Sequence, residues 1–323
     1  MSKYLVIGGN GVIGHFLTRQ IVALGQRPVV MSRSGDTELI RDIAAQCDVV
    51  RGDITDAAGM DVLLRDHGIT AIAHLGASLP AAADKDPAMG MRVNSEGTAI
   101  VLAAAVKIGI KRVILASSKN VYGPARGPHT NPEYAPIPED YRPDPQSIYG
   151  IGKLASEFLG RWYARNHGIE FAALRFGATV GPGKISRHGS HYSRYNVILE
   201  SAMAGKPLAV PAGGDALCDT IFNDDAARAI LALLQAPALK HDLYNIATGT
   251  GISLKDFAAA AKRAFPGADL TIGSGFGITG SQSFILDARR MREEFGFIAD
   301  PSPDRLVARY AETMQLLGLK PAV

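Results

Sequence analysis

Three glycines, Gly8, Gly11 and Gly14, follow a short apolar run, Tyr4–Ile7, and open onto a stretch of helical periodicity from Gly14 to Leu24. A strand, a tight turn without side chains and a helix in direct succession make the first half of a βαβ unit. Such a turn lets the backbone come close to a pyrophosphate, and the helix aims its unpaired amides and positive dipole end at the anion. A tight turn that binds nothing is the plainer alternative. The strand before and the helix after the glycines favour the nucleotide.

The same grammar continues through the first half. Pro28–Met31, Val49–Arg51, Ala71–His74, Arg112–Ala116 and Phe171–Leu174 read as further strands, and Asn94–Ile108 and Ile148–His167 read as crossover helices. Buried parallel strands are continuous apolar runs joined by helices, so the pattern predicts an α/β fold with a Rossmann-type doubly wound parallel sheet. After Arg175 the pattern loosens into Gly181-Pro-Gly-Lys-Ile-Ser and Pro211-Ala-Gly-Gly-Asp. Helices are expected near Tyr195–Ala204, Asp224–Gln235, Leu254–Phe265 and Asp304–Leu316, and a strand at Leu243–Ala247. The reading is a dinucleotide-binding domain over 1–175, also receiving roughly 215–248, and a smaller C-terminal α/β substrate lobe from 176–214 and 249–323. The stretch Gly123–Pro145 holds seven prolines without periodicity and reads as a long loop, functional or mobile.

Composition removes several classes. A formal charge of +3 over 34 basic and 31 acidic residues, with no dense Lys/Arg run among aromatics, argues against nucleic acid. No apolar stretch is long enough for a membrane span, and the N-terminus runs straight into the glycines, which points to a soluble cytoplasmic protein. Cys47 and Cys218 form no CxxC or Cys/His pattern, so neither a disulfide framework nor a metal site is expected.

The end of the second strand bears on which dinucleotide is held. A carboxylate there accepts from the ribose hydroxyls, whereas an arginine neutralises a 2′-phosphate. Ser32 and Arg33 stand at that place and Asp36 comes late enough to be a loop residue, so the chemistry leans to NADP over NAD. Asp53, before Ile54, either meets the adenine edge or forms a turn.

Tyr149 and Lys153 lie four apart at the start of a predicted helix and share a face. A cation beside a phenol favours the phenolate, so the pair is expected to lower the Tyr149 pKa and make it a general acid or base. Ser118 ends a strand, where it opens into the crevice such sheets use for ligands and can donate to an oxygen that gains charge during hydride transfer.

The glycine run, His74-Leu-Gly-Ala77, Asn94-Ser-Glu-Gly-Thr98, Ser117-Ser118-Lys-Asn-Val-Tyr-Gly123, Tyr149-x-x-x-Lys153 and Asp219-Thr-Ile-Phe-Asn-Asp-Asp225 together resemble the extended short-chain dehydrogenase/reductases, the NAD-dependent epimerase/dehydratase family. The resemblance implies Tyr149 as acid/base, Lys153 on the nicotinamide ribose and Ser118 on the substrate oxygen, with Ser117 a competing candidate. It implies cofactor contacts from Gly8, Gly11, Val12, Ile13, Gly14, Ser32, Arg33, Asp53, Ile54, Leu75, Gly76, Ala77, Asn94 and Ser117, and substrate contacts from Ser78, Ser118, Asn120 and Tyr149. It also implies a homodimer through the helices at Asn94–Ile108 and Ile148–His167.

Departures from the family pattern narrow the reaction. Dehydratases of the family carry Asp-Glu after the catalytic hydroxyl, and here Lys119 and Asn120 stand there. Nucleotide-sugar epimerases place an asparagine and an arginine on the diphosphate where this chain has Ala178 and Cys218. Lys184, Arg187, His188, His191 and Arg194 could instead receive a carboxylate or phosphate of a smaller substrate, with Arg187 and His191 as the leading contacts; a solvated basic loop is the alternative. The expected activity is oxidation of a secondary alcohol or reduction of a ketone of a small polar substrate, including a sugar-derived one. Epimerisation with retained cofactor is the alternative, and a dinucleotide sensor without chemistry fits poorly with an intact Tyr/Lys pair.

Overall fold

In the computed structural model, which describes residues 2–188, 194–276 and 283–323, the apolar runs of the first half become the centre of a seven-stranded sheet. The strands are β1 (Tyr4–Ile7), β2 (Val29–Ser32), β3 (Asp48–Arg51), β4 (Ala71–His74), β5 (Arg112–Ala116), β6 (Glu170–Phe176) and, at one edge, a return strand, Leu243–Ile246. Their order is Leu243–Ile246, β6, β5, β4, β1, β2, β3. The ladders between β1 and its neighbours are parallel, with Leu5 opposite Val29 on one side and Ile72 on the other. The order reverses between β1 and β4, the topological switch point where sheets of this kind bind ligands.

The helices of this part are α1 (Gly14–Ala23), α2 (Ala57–Asp66), α3 (Pro80–Lys85), α4 (Pro87–Met91), α5 (Gly97–Ile108) and α6 (Ile148–His167). Asp56 caps α2 by accepting from Gly59 N at 3.0 Å, and Ser147 caps α6 by accepting from Gly150 N at 3.1 Å. Their apolar faces join Leu5, Val29, Ile72, Leu115 and Phe171 in one core. A Cβ at Gly160 would fall 2.0 Å from Phe171, so α6 can lie this close to β6 only with glycine there. The helix expected from Asn94 starts as a π-helical turn, Arg92–Glu96, before α5; such wide turns recur at functional sites.

The chain divides into two compact units. Unit 1 comprises 1–122, 142–176 and 226–244; unit 2 comprises 123–141, 177–225 and 245–323. Unit 1 is thus closed by a late segment: Arg112 on β5, buried, donates to the carbonyls of Leu233, Leu234 and Ala236 and pairs with Glu170. Two expectations change. Residues 215–225, read with the sheet domain, belong to unit 2, because their strand Cys218–Phe222 pairs with Ala178–Val180 and Gly251–Ile252. The proline-rich stretch is not a bare loop: Ile137 is fully buried and bridges to Leu286, and the buried Glu139 accepts from Asn245 N at 3.0 Å.

In unit 2 those three strands are β7 (Ala178–Val180), β9 (Cys218–Phe222) and β11 (Gly251–Ile252), with β10 the return strand of the large sheet. A parallel pair, β8 (Leu208–Val210) and β12 (Leu270–Ile272), completes the set. Its helices include α7 (Lys184–His188), α8 (Arg194–Ala204), α10 (Leu254–Ala264), α11 (Arg289–Phe295) and α12 (Pro303–Leu317), while α9 (Asn223–Gln235) starts in unit 2 and continues into unit 1. Asp219, fully buried on β9, accepts from Thr248 N and Oγ1, Gly249 N and Leu286 N. Among the described residues no helix is long and apolar enough to cross a membrane, and no cluster of His, Cys, Asp or Glu could hold a metal ion.

Candidate active site

The site is built from the carboxyl ends of β1, β2, β4 and β5 and the head of α6, all in unit 1. The glycine loop is drawn tight. Gly8 has φ +78 and donates to Met31 O at 2.7 Å, and Gly11 N donates to Gly8 O at 2.9 Å. A Cβ at Gly14 would lie 2.0 Å from Gly8 O, and one at Gly76 would lie 2.9 Å from Ile7. The first turn of α1 has no side-chain cap. Close backbone approach, an uncapped helix start and half-buried Leu75, Gly76 and Ala77 beside them make a cradle that fits a dinucleotide pyrophosphate. Val12 is buried and Ile13 half-buried at its rim.

Asn10, which the sequence did not single out, and Asp36, read there as a loop residue, complete this end. Asn10, buried, donates to Ser32 Oγ at 2.9 Å, to Asp36 O at 2.8 Å and to the Asp36 carboxylate at 3.2 Å. Asp36 therefore folds back onto the glycine loop although it stands four residues beyond the strand end, and it also accepts from Ser34 Oγ at 2.6 Å. An asparagine inside the glycine run facing a Ser-x-Ser-Gly-Asp turn was the available signal. The Ser32 hydroxyl is engaged by Asn10 and by Gly35 N. The Arg33 side chain is exposed. Asp53 forms a turn: its Oδ1 accepts from Thr55 N and Oγ1, both at 2.8 Å, and these bonds hold its carboxyl below the usual range. Ile54 is buried against Gly97.

Ser118 follows β5 in an extended conformation, and its hydroxyl accepts from Asn120 N at 3.2 Å, starting the turn Lys119–Val121. Tyr149 is the second residue of α6; a Cβ at Gly150 would meet Asn120 O at 2.7 Å, so a glycine beside the tyrosine lets the helix head close onto that turn. The Ser118 hydroxyl stands close enough to the Tyr149 phenol to favour its ionised form. Lys153, one turn on and buried, donates from Nζ to Ala116 O at 2.7 Å and stands 5.8 Å from the Tyr149 ring centre.

The electrostatics correct one expectation. Burial pushes the Tyr149 phenol up to about 12, opposed by the nearby Ser118 hydroxyl, instead of the neighbouring cation drawing it down. The reason is direction: the Lys153 ammonium is turned to a carbonyl, and burial dominates. Burial likewise pushes Lys153 down to about 8, against the pull of Glu157. His74, buried at the end of β4, is pushed down to about 3 by burial and by Lys153, and its neutral ring meets Thr98 Oγ1 at 3.2 Å.

Two side chains expected on the cofactor are turned into the protein. Asn94 accepts from Ser78 N at 2.7 Å and donates to Ser78 O at 3.0 Å, bracing the loop after β4; Ser78, expected on substrate, is itself buried there. The Ser117 hydroxyl donates to Glu157 Oε1 at 2.5 Å, and Glu157 pairs with Arg175 at 2.6 Å. Neither Glu157 nor Arg175 was singled out from the sequence, although Glu157 continues the i, i+4 series of Tyr149 and Lys153. Of the basic group after β7, the Lys184 ammonium is drawn inward onto Thr179 O and Oγ1 at 2.5 and 2.9 Å. The Arg187 and His188 side chains and the whole of His191 lie outside the described residues, and Arg194 is half-buried. Ala178 opens β7 and Cys218 opens β9.

Residues 4–247 match the NAD dependent epimerase/dehydratase family. A UDP-glucose 4-epimerase of Lactobacillus helveticus is 28% identical over 333 residues, covering 99% of this chain and 92% of that one. A UDP-glucose 4-epimerase from Brucella ovis in complex with NAD superposes with a TM-score of 0.81 at 25% identity, over 97% of this chain and 98% of that one. A partial consensus L-threonine 3-dehydrogenase is equally similar, with a TM-score of 0.83 at 25% identity over 97% and 99%.

Proposed function

Because the chain belongs to the NAD dependent epimerase/dehydratase family and is an enzyme of the extended short-chain type, we propose that it moves hydride between a nicotinamide dinucleotide and a secondary alcohol or ketone of a small polar substrate, sugar-derived ones included. The observation that carries this reading is the convergence of three groups: Ser118 at the end of β5, Tyr149 at the head of α6 closed onto the Ser118 turn, and the buried Lys153 ammonium one helical turn on, 5.8 Å from the phenol ring centre. The dinucleotide, when bound, would supply the hydride-exchanging ring. Gly8, Gly11, Gly14 and Gly76 would hold its pyrophosphate side and Lys153 its nicotinamide ribose. Tyr149, protonated at neutral pH, gives its proton to a carbonyl oxygen being reduced and recovers it in the reverse direction, while Ser118 donates to the same oxygen. Lys119, in the place of a dehydratase's acid, cannot serve as a carboxylic acid, which disfavours elimination of water.

For the cofactor we retain NADP over NAD. The Asp36 carboxylate already receives Asn10 and Ser34, and Arg33 remains the exposed charge at the strand end, placed for a 2′-phosphate. NADPH should bind more tightly than NADH and Arg33→Asp should narrow the difference; equal affinities in the unaltered protein would remove this preference.

Epimerisation is the second reading, favoured by the Lactobacillus helveticus and Brucella ovis relatives. Against nucleotide sugars stand Ala178 and Cys218, neither of which can grip a diphosphate. A screen of alcohols, aldoses and sugar acids with each cofactor separates the two. Net change in nicotinamide absorbance supports dehydrogenation, and inverted product without net change supports epimerisation. If Tyr149→Phe keeps full activity on the substrate found, the proton-transfer role is wrong. We further propose a homodimer: Ile151, Phe158 and Trp162 are exposed along one face of α6, and light scattering at a monomer's mass would refute it. The buried Cys47 and Cys218 form no disulfide, which suits the cytoplasm.

A further inference from the structure

We infer that Glu157 is a positioning residue for the reaction, setting the register between the strand that carries Ser118 and the helix that carries Tyr149 and Lys153. The inference rests on those three being the reacting groups. Tyr149, Lys153 and Glu157 stand four apart on one face of α6, and each meets a different one of three consecutive residues at the end of β5. Lys153 Nζ donates to Ala116 O at 2.7 Å, Glu157 Oε1 accepts from Ser117 Oγ at 2.5 Å, and the Tyr149 phenol faces Ser118.

Glu157 also reaches the next strand. Arg175 of β6 donates Nε to Oε1 at 3.0 Å and Nη2 to Oε2 at 2.6 Å, and its guanidinium stacks 4.5 Å from the centre of the Tyr122 ring, at the end of the turn that Ser118 begins. Ser117, Glu157, Arg175 and Tyr122 are all buried. One carboxylate thus gathers β5, β6 and α6 directly, and the Ser118 turn through Arg175. A buried ion pair is poor evidence of stability, since apolar residues of like volume often do as well. What apolar residues would lose is the charge-assisted, directional bond to Ser117, the residue next to Ser118. A slip of that strand end against α6 would separate Ser118 from the phenol, and misplacement by about 1 Å costs on the order of a hundredfold in rate.

The test uses the full chain with the substrate found by the screen. Ser117→Ala leaves the Glu157–Arg175 pair intact and should fold; it should lower kcat about tenfold, with KM and dinucleotide Kd within threefold, while Ser117→Thr, which keeps a hydroxyl, should restore activity. Glu157→Gln should lower kcat further wherever it folds. A folded Ser117→Ala with unchanged kcat overturns the inference, as does a fall in kcat matched by an equal loss of dinucleotide affinity. Tyr149→Phe runs beside them: an active Tyr149→Phe sinks the underlying reading, whereas an inactive Tyr149→Phe with a fully active Ser117→Ala sinks the positioning role alone.

Discussion

Replacing Gly14 by alanine isolates what the glycine loop does for the cofactor. The new Cβ would lie 2.0 Å from Gly8 O, 2.8 Å from Gly8 C and 2.7 Å from Gly9 Cα. Carbon contacts relax only near ~3.5 Å, and all three obstacles are backbone, so no rotamer relieves them. The loop itself must give way by more than an ångström, yet it is tied by Gly8 N to Met31 O and by Gly11 N to Gly8 O. Overpacking of this kind costs about 1–3 kcal/mol. Because the displaced atoms are those that would approach the pyrophosphate, most of that cost should appear in binding. At about 1.4 kcal/mol per tenfold, dinucleotide Kd should rise roughly five- to hundredfold. Fluorescence titration of the reduced cofactor measures it. Gly25→Ala is the control: Gly25 has φ +72 with nothing within 4 Å of an added Cβ, so it should lose about 1 kcal/mol of stability to backbone strain and no affinity. A Gly14→Ala protein that binds as tightly as its parent, or a Gly25→Ala protein that weakens as much, would refute the reasoning.

Asn94→Ala leaves two backbone groups of buried Ser78 without partners, at about 1–3 kcal/mol each, so urea midpoints should drop by that scale. Asp219 is raised by burial from 3.8 to about 6. Its folded pKa lies above the unfolded one, so its contribution is full below pH 3.8 and about 3 kcal/mol is lost as pH rises through 6. Asp219→Asn should flatten stability between those values, and an unchanged slope in denaturant titrations would contradict it. Without cofactor, difference absorbance between the parent and Tyr149→Phe should show no phenolate below about pH 10; phenolate near neutrality would reinstate the cation-lowered tyrosine.

The sheet was legible where strands are buried on both faces: β1, β4 and β5 are continuous apolar runs, and the structure has them at the residues read. β6, read as Phe171–Leu174, runs from Glu170 to Phe176, and only the pairing of Arg175 with Glu157, 18 residues earlier, makes a charge tolerable inside it. The same kind of distant pairing hid the allegiance of β9 and of Ile137, whose partners come from 178–180, 251–252 and 286. In the site, the residue types and the i, i+4 spacing were readable from α6. Where Lys153 points was not, because the competing acceptor, Ala116 O, is a main-chain atom that no side-chain pattern announces. The contact of Asn10 with Asp36 escaped for the same reason: it depends on how a turn folds back.

Unit 1 is assembled from three stretches of chain, the last ending at residue 244, and this bears on how the protein is made. Until that stretch leaves the ribosome, β6 has an open edge, and buried Arg112 lacks the carbonyls of Leu233, Leu234 and Ala236. An exposed parallel edge is a template for pairing with other chains. Truncations near residue 176, which look like clean domain boundaries in sequence, should therefore aggregate, and nascent chains up to about that length are the ones on which a chaperone would act.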